Sequence, residues 1–220
     1  MRVFIAVSLP VDLKVKLTAL QQEFRHLPLE AAWVREAGFH ITLKFLGEVD
    51  LSQIDPIVAS MTAAARRYHP FSLTLAGVGV FPHESNPRVL WVGIQDEAGL
   101  LRQIQRTLAA ELAQIGHLPE DRPFAPHLTL ARLKRVSRRG EFLTVLKASR
   151  EAIFGRLDVD HMELIESQLH PSGARYSIVN AVPFPRAMDP SRVDDEKRGH
   201  IFDGLDGARL PQQRSQRWKD

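Results

Sequence analysis

The sequence predicts an α+β fold in which one unit, strand-helix-strand-helix-strand, occurs twice. Short apolar segments alternate along the chain with segments of helical periodicity. The tetrapeptide His40-Ile41-Thr42-Leu43 also returns 87 residues later as His127-Leu128-Thr129-Leu130. Because a duplicated unit usually packs about a pseudo-twofold axis, we expect a bilobal molecule whose antiparallel sheets face a central cleft.

The first unit opens with the apolar run Val3–Val7, which is typical of a buried strand. A helix follows, because apolar residues recur at spacings of four and three from Leu13 to Leu27. The motif strand around His40 comes next, and a second helix has its apolar positions between Ile54 and Ala65. A strand near Phe71–Val78 completes the unit.

The second unit repeats this order. At the same offset of 87 residues, Leu90–Ile94 corresponds to the first strand, and the stretch from Leu101 to Ile115 has the same helical spacing. After the second motif we expect a weaker helix around Phe142–Ile153 and a strand near Leu157–Ile165. Two unrelated units that share only the alternation of strand and helix are the alternative, but a motif match at one offset favours duplication.

The character of the chain changes after Pro185. Of the last 35 residues, 15 are Asp, Glu, Lys or Arg, and no sustained apolar period remains. We predict that residues 1–185 form a single bilobal domain, with motif 40–43 in the first lobe and motif 127–130 in the second. Residues 186–220 are predicted to form a charged, disordered tail.

Composition excludes several classes of protein. The chain has no cysteine, so it contains no disulfide, thiolate metal site or cysteine nucleophile. It also lacks the phosphate-binding G-x-x-x-x-G-K-[ST] loop, the dinucleotide G-x-G-x-x-G turn and the G-x-S-x-G elbow. A formal charge of +3 fits an anionic partner. With no signal peptide and no long apolar stretch, we expect a cytoplasmic monomer that does not enter membranes.

The doubled motif carries the chemistry. Residues two apart in a strand point to the same face, so each motif presents an imidazole and a hydroxyl together. Histidine, with an ordinary pKa of about 6.5, gives or takes a proton near neutrality. Two facing motifs would supply a general base, a general acid and two hydroxyls that hold phosphate oxygens. This set suits cleavage of a phosphodiester, in which one histidine takes a proton from water and the other protonates the departing sugar oxygen.

A metal centre is not expected. Such a site usually needs three or four ligands, and the motifs supply two histidines without a carboxylate on the same strand face. The nearby acidic residues do not keep a spacing typical of ligands; they are Glu48, Asp50, Glu120 and Asp121. We therefore expect no metal and no other cofactor.

The segments Phe39–Gly47 and Phe124–Arg132 resemble the paired H-x-T-x signatures of the two-histidine (2H) phosphoesterases. Within these, the chain is most similar to the bacterial and archaeal RNA 2′,3′-cyclic phosphodiesterases of the ThpR/LigT type. The resemblance extends to Met1–Val7, Pro87–Gly93 and a late hairpin that runs from Leu164 to Tyr176. It covers nearly all of residues 1–180, and the doubled motif is highly specific.

This resemblance implies a bilobal α+β fold and metal-free opening of a terminal 2′,3′-cyclic phosphate to a 2′-phosphomonoester. By reversal it also implies a weak ability to join RNA ends through a 2′-5′ linkage. Carried over by motif position, His40 is the proton donor and His127 the proton acceptor, while Thr42 and Thr129 bind the phosphate. The spacing alone does not distinguish the two histidines, because the motifs are nearly symmetric. The implied partner is RNA with 2′,3′-cyclic phosphate ends, either tRNA-like or an oligonucleotide.

Two basic residues are further candidates for substrate binding. Lys44 is in phase with His40 and Thr42 on a regular strand, so alternation favours it over the alternative of an exposed strand lysine. Arg132 occupies a position where members of the resembled family often carry an arginine. It lies five residues after His127 and reaches the same face only if the strand bends, bulges or ends. A solvated arginine at a strand end is the alternative.

A cluster of cations, here called the basic segment, lies at and beyond the second motif and consists of Arg132, Lys134, Arg135, Arg138 and Arg139. It could steer an RNA backbone toward the cleft, or it could be an ordinary solvated loop. Phe45 or Trp33 could stack on a terminal base, although packing in the core is the favoured interpretation for both.

Two other functions stay open on the sequence. The first is phosphodiester hydrolysis of another 2′-5′ or cyclic nucleotide, which the same four motif residues would serve equally well. The second is a non-catalytic protein that binds RNA ends. The two titratable side chains argue against the second, because binding alone does not require them.

Overall fold

Nine strands form one sheet in which every pairing is antiparallel, within the part of the chain that the computed structural model describes, residues 1–120, 123–168, 170 and 174–186. The strands are β1 (Arg2–Ser8), β2 (Leu29–Trp33), β3 (His40–Glu48), β4 (Phe71–Phe81), β5 (Val89–Gln95), β6 (His127–Val136), β7 (Ile153–Val159), β8 (His161–Gln168) and β9 (Arg175–Pro183). The α-helices are α1 (Val11–Arg25), α2 (Ile54–Ala65), α3 (Leu100–Ala113) and α4 (Arg139–Ala148). The predicted α+β class is confirmed.

The sheet consists of two similar halves. Its strand order is β7-β4-β5-β6-β3-β1-β8-β9, and β2 pairs with β6. We call β3, β1, β8 and β9 the first half-sheet and β6, β5, β4 and β7 the second. Each half-sheet contains the motif strand of one repeat next to the opening strand of that repeat, as a duplication predicts.

The repeats exchange strands. The strand β4 ends the first repeat but pairs with β5 in the second half-sheet, whereas β8 ends the second repeat and pairs with β1 in the first. The helices pair across the repeats in the same way. Phe24 of α1 packs against Phe142 of α4 with ring centroids 5.8 Å apart, and Tyr68, just after α2, hydrogen-bonds Thr107 of α3 at 2.7 Å. Each half of the molecule is therefore completed by the other repeat.

The helices cover one face of the sheet and form the core with it. The predicted stripe of α1 is confirmed, because its residues Leu13, Leu17, Leu20 and Phe24 are all buried. The helix begins directly after Pro10, whose fixed φ suits a helix start. At α3 the Asp96 side chain accepts hydrogen bonds from the first two amides of the helix, at 2.9 and 2.8 Å.

The opposite face of the sheet has a small apolar cluster of its own. Phe4 and Ala6 of β1 point to this face and pack with Ile165 of β8 and with the partly buried Tyr176 of β9. No helix of the described residues is both long and apolar enough to cross a membrane.

The offset of 87 residues holds for the motif strands but not for the opening strands. Val7 pairs with Ile41 in the first half-sheet, and Val92 pairs with Leu128 in the second, so Val7 corresponds to Val92 at an offset of 85. The predicted alignment of Val3–Val7 with Leu90–Ile94 is therefore wrong by two residues. A shift of two leaves the alternation of a strand unchanged, so the apolar pattern fits both alignments.

Several boundaries differ from the prediction. The helix expected around Phe142–Ile153 is α4, which ends at Ala148, and Ile153 begins β7. The single strand expected near Leu157–Ile165 is two strands, β7 and β8. The strand β2 was not predicted. Residues 1–186 form one compact unit; the tail predicted to begin at residue 186 falls, from 187 onward, outside the described residues and stays a prediction.

Candidate active site

The two motifs meet where the half-sheets join. Ile41 of β3 pairs with Leu128 of β6, and this is the residue pair described between the two motif strands. Both side chains are fully buried on the helix-covered face. Their neighbours on each strand therefore point to the opposite face, as alternation requires.

A cleft of about 480 Å³ lies on that opposite face, and we call it the motif cleft. It is lined by Arg2, Val3, Phe4, Val34, Gly38, His40, Thr42, Phe45, His127, Thr129, Arg132, Ser167, Ala174 and Tyr176. Both histidines and both threonines of the motifs are thus brought together. Their catalytic and binding roles stay predictions.

A β-bulge lies at the last residue of the first motif. Thr42 pairs with Ala6 of β1, but Lys44 pairs with Ile5, so Leu43 is an extra residue between two consecutive pairs. Such a bulge shifts the alternation of a strand by one residue. After the bulge, Lys44 shares the face of Ile5, which is fully buried in the core.

The prediction that Lys44 binds substrate beside His40 and Thr42 is wrong, because the bulge turns its side chain to the other face. Only 4% of Lys44 is exposed, and it does not line the motif cleft. Its Nζ donates a hydrogen bond to the carbonyl of Leu118 at 2.7 Å and lies 3.8 Å from Glu120 Oε1. Lys44 thus contacts the segment that precedes the second motif.

Phe45 takes the place in the cleft that was predicted for Lys44. It is 52% exposed and packs its ring against Phe4, with centroids 5.7 Å apart. The favoured interpretation of Phe45 as a core residue is therefore wrong. Trp33 does pack partly against the core, and Arg25 lies over its ring at 4.8 Å.

An equivalent bulge lies at the last residue of the second motif. Thr129 pairs with Trp91 of β5 and Ala131 pairs with Leu90, which leaves Leu130 as the extra residue. The side chain of Arg132 consequently turns into the motif cleft. The local break in the strand that Arg132 requires is present, and Arg132 corresponds in position to Phe45.

His40 lies in an aromatic environment. The ring of Phe4 is 4.6 Å from its centroid, and Tyr176 meets it edge-on at 5.5 Å. Burial, and next the charge of Lys14, lower the pKa of His40 to about 4. The imidazole is therefore neutral at pH 7 when no ligand is bound.

His127 is oriented by the backbone just before it. Its Nδ1 lies 2.8 Å from the carbonyl oxygen of Ala125, and Phe81 packs edge-on against its ring at 5.0 Å. A carbonyl only accepts hydrogen bonds, so Nδ1 carries the proton. In the neutral ring Nε2 then has a free lone pair for the cleft, as a proton acceptor needs.

A polar cluster around the buried Glu163 stands beside His40. Ser8 pairs with His40 across the β1–β3 ladder and donates a hydrogen bond to Glu163, which is 5% exposed. His161 reaches the same carboxylate, with Nε2 and Oε1 3.2 Å apart, and also contacts Asp160. Burial alone would lower the pKa of His161, but these two carboxylates raise it. No repeated pattern in the sequence points to this cluster.

Sequence reasoning missed several cleft residues. Phe4 belongs to a continuous apolar run, which is typical of a strand buried on both faces, yet it forms part of the cleft wall. Arg2 and Tyr176 lie far from both motifs in the chain, and the half-sheet brings them to the cleft. Only the resemblance, which includes the stretches around both residues, gave a signal for them.

The basic segment continues outward from the cleft along β6. A second irregularity, against β2, pairs Leu133 with Ala31 and Arg135 with Glu30, so that Lys134 is the extra residue. Lys134 and Arg135 are therefore exposed in succession, and Arg132 is exposed as well. The last two cations of the segment already have partners in the protein. Arg138 lies 3.1 Å from Glu141, and Arg139 donates a hydrogen bond to the Glu84 carbonyl at 2.8 Å.

No group of three or more His, Asp or Glu residues converges as a metal site in the described part of the chain. Glu120, one of the acidic residues that lie near the motifs in the sequence, contacts Lys44 on the helix-covered side of β3. It does not line the motif cleft. The polar and aromatic side chains that line the cleft are imidazoles, hydroxyls, aromatic rings and guanidinium groups. That metal and cofactor are not required stays a prediction.

Comparison with known proteins places the chain in context. The model of the LigT-like phosphoesterases matches twice, at residues 7–91 and 92–176, so that each match contains one of the two motifs. An RNA 2′,3′-cyclic phosphodiesterase of Aeropyrum pernix is 32% identical over 81% of this chain and 98% of its own length. One of Thermotoga maritima is 30% identical over 84% and 96%.

Solved structures agree. The protein TT0787 of Thermus thermophilus matches with a TM-score of 0.72 and 29% identity over 84% of this chain and 99% of its own. LigT of Escherichia coli, solved with 3′-AMP, matches with a TM-score of 0.62 and 25% identity over 84% and 98%. With both halves matched by one family model, and with relatives above 30% identity over most of its length, the chain belongs to the LigT-like phosphoesterase family.

Proposed function

We propose that this protein hydrolyses the terminal 2′,3′-cyclic phosphate of RNA to a 2′-phosphomonoester, without a metal, by a pair of histidines. The observation that carries the proposal is the convergence of His40, Thr42, His127 and Thr129 in one cleft around the Ile41–Leu128 pair. Family membership supports it, because relatives across 81% and 84% of the chain are named RNA 2′,3′-cyclic phosphodiesterases.

His127 acts as the general base. Its Nδ1–H is held by the Ala125 carbonyl, so Nε2 is free to take a proton from water. The water oxygen then bonds to phosphorus in line with the bond to the 3′ oxygen, and that bond breaks. His40 gives its proton to the 3′ oxygen. The two histidines exchange protons with solvent to reset, and each transfer contributes about 10²–10⁴ in rate.

The acid role of His40 needs the substrate. In the free protein its pKa is about 4, chiefly because of burial, so the imidazole is neutral at neutral pH. A cyclic phosphate brings a negative charge into the cleft, and an opposite charge at close range raises the pKa of an imidazole. The rate is expected to be bell-shaped in pH, since one histidine must be charged and the other neutral.

The remaining cleft residues divide between phosphate and nucleoside. Thr42 and Thr129 donate hydroxyl hydrogen bonds to the non-bridging phosphate oxygens, and Arg132 neutralises the charge that develops on them. Phe45, exposed beside Phe4, offers a ring on which the terminal base stacks. The presence of 3′-AMP in the structure of E. coli LigT is consistent with a nucleotide in this cleft.

The same step with an RNA 5′ hydroxyl in place of water would join it to a 2′,3′-cyclic phosphate end through a 2′-5′ linkage. His127 would take the proton of the 5′ hydroxyl, and His40 would again give its proton to the departing 3′ oxygen. A phosphodiesterase acting on another 2′-5′ or cyclic nucleotide is the second candidate. It is favoured because the cleft side chains suit a phosphate and one base and would not select a longer RNA sequence. A non-catalytic RNA-end binder is the third, and it would not need titratable groups in both motifs.

The test is turnover of a short RNA that ends in a 2′,3′-cyclic phosphate, in excess EDTA, with the position of the product phosphate determined by NMR. A 2′-phosphate formed at an undiminished rate is expected. Loss of the rate in EDTA contradicts the metal-free mechanism, and a 3′-phosphate product contradicts the assignment of the leaving oxygen. Binding without turnover of any cyclic phosphate supports the non-catalytic candidate.

A further inference from the structure

We infer that Lys44 is a positioning residue that, from the first motif strand, holds the segment orienting His127 in the second motif. This inference rests on the proposed function. The segment concerned leads from α3 into β6, and we call its described residues, 117–120 and 123–126, the approach segment. It ends at the carbonyl of Ala125, which fixes the ring of His127.

Lys44 reaches the approach segment because of the bulge. Its side chain passes through the helix-covered side of the sheet, and its Nζ donates to the Leu118 carbonyl at 2.7 Å. Glu120 lies 3.8 Å from the same nitrogen. The ammonium also acts on His117, whose pKa is lowered first by burial and then by the charge of Lys44. One cation therefore hydrogen-bonds Leu118, pairs with Glu120 and acts through its charge on His117.

A second contact holds the segment near its other end. Arg102 of α3 donates from Nη1 to the carbonyl of Phe124 at 3.2 Å, one residue before Ala125. Phe124 itself packs partly against the core. Arg102 thus holds the chain one residue before Ala125, and Lys44 holds it at Leu118 and Glu120.

The two repeats differ here in a way that explains the need for such contacts. In the first repeat, the chain that leads to His40 contains β2, which is fixed by its ladder with β6. In the second repeat, the approach segment forms no strand in its described residues. The side-chain hydrogen bonds of Lys44 and Arg102 therefore hold the approach segment, whereas the backbone ladder between β2 and β6 holds the corresponding part of the first repeat. At the position equivalent to Lys44 the second motif strand carries Ala131, which is fully buried.

Burial makes this contact costly to lose. A lysine that is 4% exposed has given up most of its hydration, so its hydrogen bond and ion pair must compensate. Without Nζ, the Leu118 carbonyl loses a charged donor, and the segment gains freedom at Ala125. A histidine whose partner moves is then less often in the required tautomer and direction.

The test compares Lys44→Met with the unmodified full-length protein. Methionine keeps a long apolar side chain but donates no hydrogen bond. We expect kcat on a cyclic-phosphate RNA to fall by about 10- to 100-fold, since small misplacements of reacting groups have effects of this size. KM should stay within about 2-fold, because the phosphate contacts are unchanged. The ¹⁵N spectrum of His127 should change from one dominant Nδ1–H tautomer to a mixture.

Matched variants separate positioning from general destabilisation. Arg102→Gln should shift the His127 tautomers in the same direction, whereas Lys147→Met, at an exposed lysine of α4, should leave them unchanged. If Lys44→Met does not fold, Lys44→Arg keeps the charge but moves the donor atoms, and a smaller shift of the same sign is expected.

An unchanged tautomer balance and unchanged kcat in a folded Lys44 variant overturn the inference. Failure of the proposed function is distinct from this, because the unmodified protein would then show no turnover.

Discussion

His40 and His127 occupy matching positions in the two repeats but have different surroundings. Aromatic rings enclose His40, whereas His127 has a backbone carbonyl at Nδ1. The sequence motif identifies both residues and cannot distinguish them, since its four positions are nearly the same. The difference arises from Tyr176 and Ala125, which belong to segments outside the duplicated tetrapeptide.

Replacement of either histidine tests the proposed chemistry. His40→Ala and His127→Ala should each lower kcat by at least about 10², because each removes one proton transfer. The affinity for a 2′-phosphomonoester product should change little, since Thr42, Thr129 and Arg132 remain. A variant that keeps most of its rate on the cyclic-phosphate RNA removes that histidine from the mechanism.

The charge of Lys14 provides a finer test at His40. Lys14 is the second cause, after burial, of the low pKa of His40. Lys14→Gln removes that repulsion, so the pKa of His40, followed by NMR, should rise from about 4 but stay below 6.5. Lys147→Gln, which removes an exposed lysine of α4, is the control. A pKa of His40 that is identical in both variants contradicts the electrostatic assignment.

The same pKa couples His40 to stability. The folded protein binds a proton at His40 only near pH 4, whereas the unfolded chain does so near 6.5. This contribution to the free energy of unfolding is complete above pH 6.5 and is lost as the pH falls toward 4. It amounts to at most about 3 kcal/mol, and less with solvent screening. Denaturation of the unmodified protein and of His40→Asn should show a pH-dependent difference in this window; parallel curves contradict the shift.

At the scale of single elements, the sequence predicted the existence of the strands and helices better than their alignment. The apolar period of α1 and the alternation of the motif strands follow directly from side-chain spacing. The bulges do not, because an inserted residue such as Leu43 has no signature when it and its neighbours, Thr42 and Lys44, all fit a strand. Strict alternation therefore predicts Lys44 in the cleft, and it allows Arg132 there only if β6 has a local break.

The exposed cations of the basic segment on β6 can be tested for contact with RNA. If Lys134 and Arg135 contact an RNA backbone, each replacement by glutamine should reduce the slope of log K against log salt by about 0.7 for a cyclic-phosphate oligonucleotide. Binding of a mononucleotide 2′,3′-cyclic phosphate should be unaffected, since it does not reach them. Arg138→Gln, whose side chain is paired with Glu141, is the control. If all variants have the same salt slope as the unmodified protein, Lys134 and Arg135 are only solvated and do not contact the RNA.

At the scale of the whole molecule, the exchange of β4 and β8 makes the repeats interdependent. Duplication could be inferred from the motif, but the exchange could not, because a sequence records the order of strands and not their partners. Each half-sheet contains a strand of the other repeat, and the helix pairs α1–α4 and α2–α3 also cross between repeats. We therefore expect residues 1–186 to unfold as one cooperative unit.

Core substitutions in the two repeats check this expectation. Leu17→Ala in α1 and Leu108→Ala in α3 remove fully buried side chains, so each should cost about 2–5 kcal/mol. Both should shift one common transition, seen alike in near-ultraviolet and far-ultraviolet circular dichroism. A second transition that responds to only one of the substitutions would mean that the halves unfold separately.

The paired bulges have one more consequence, for the direction in which a substrate lies. A site with twofold symmetry would accept a nucleotide in two opposite orientations, and each histidine would then meet the leaving oxygen half of the time. The residues that the bulges turn into the cleft are an aromatic ring, Phe45, on one side and a cation, Arg132, on the other. An apolar base and a charged phosphate chain match these two sides in only one orientation. On the proposed function, this asymmetry would remove the second orientation that duplication allows, so that each histidine could take one role.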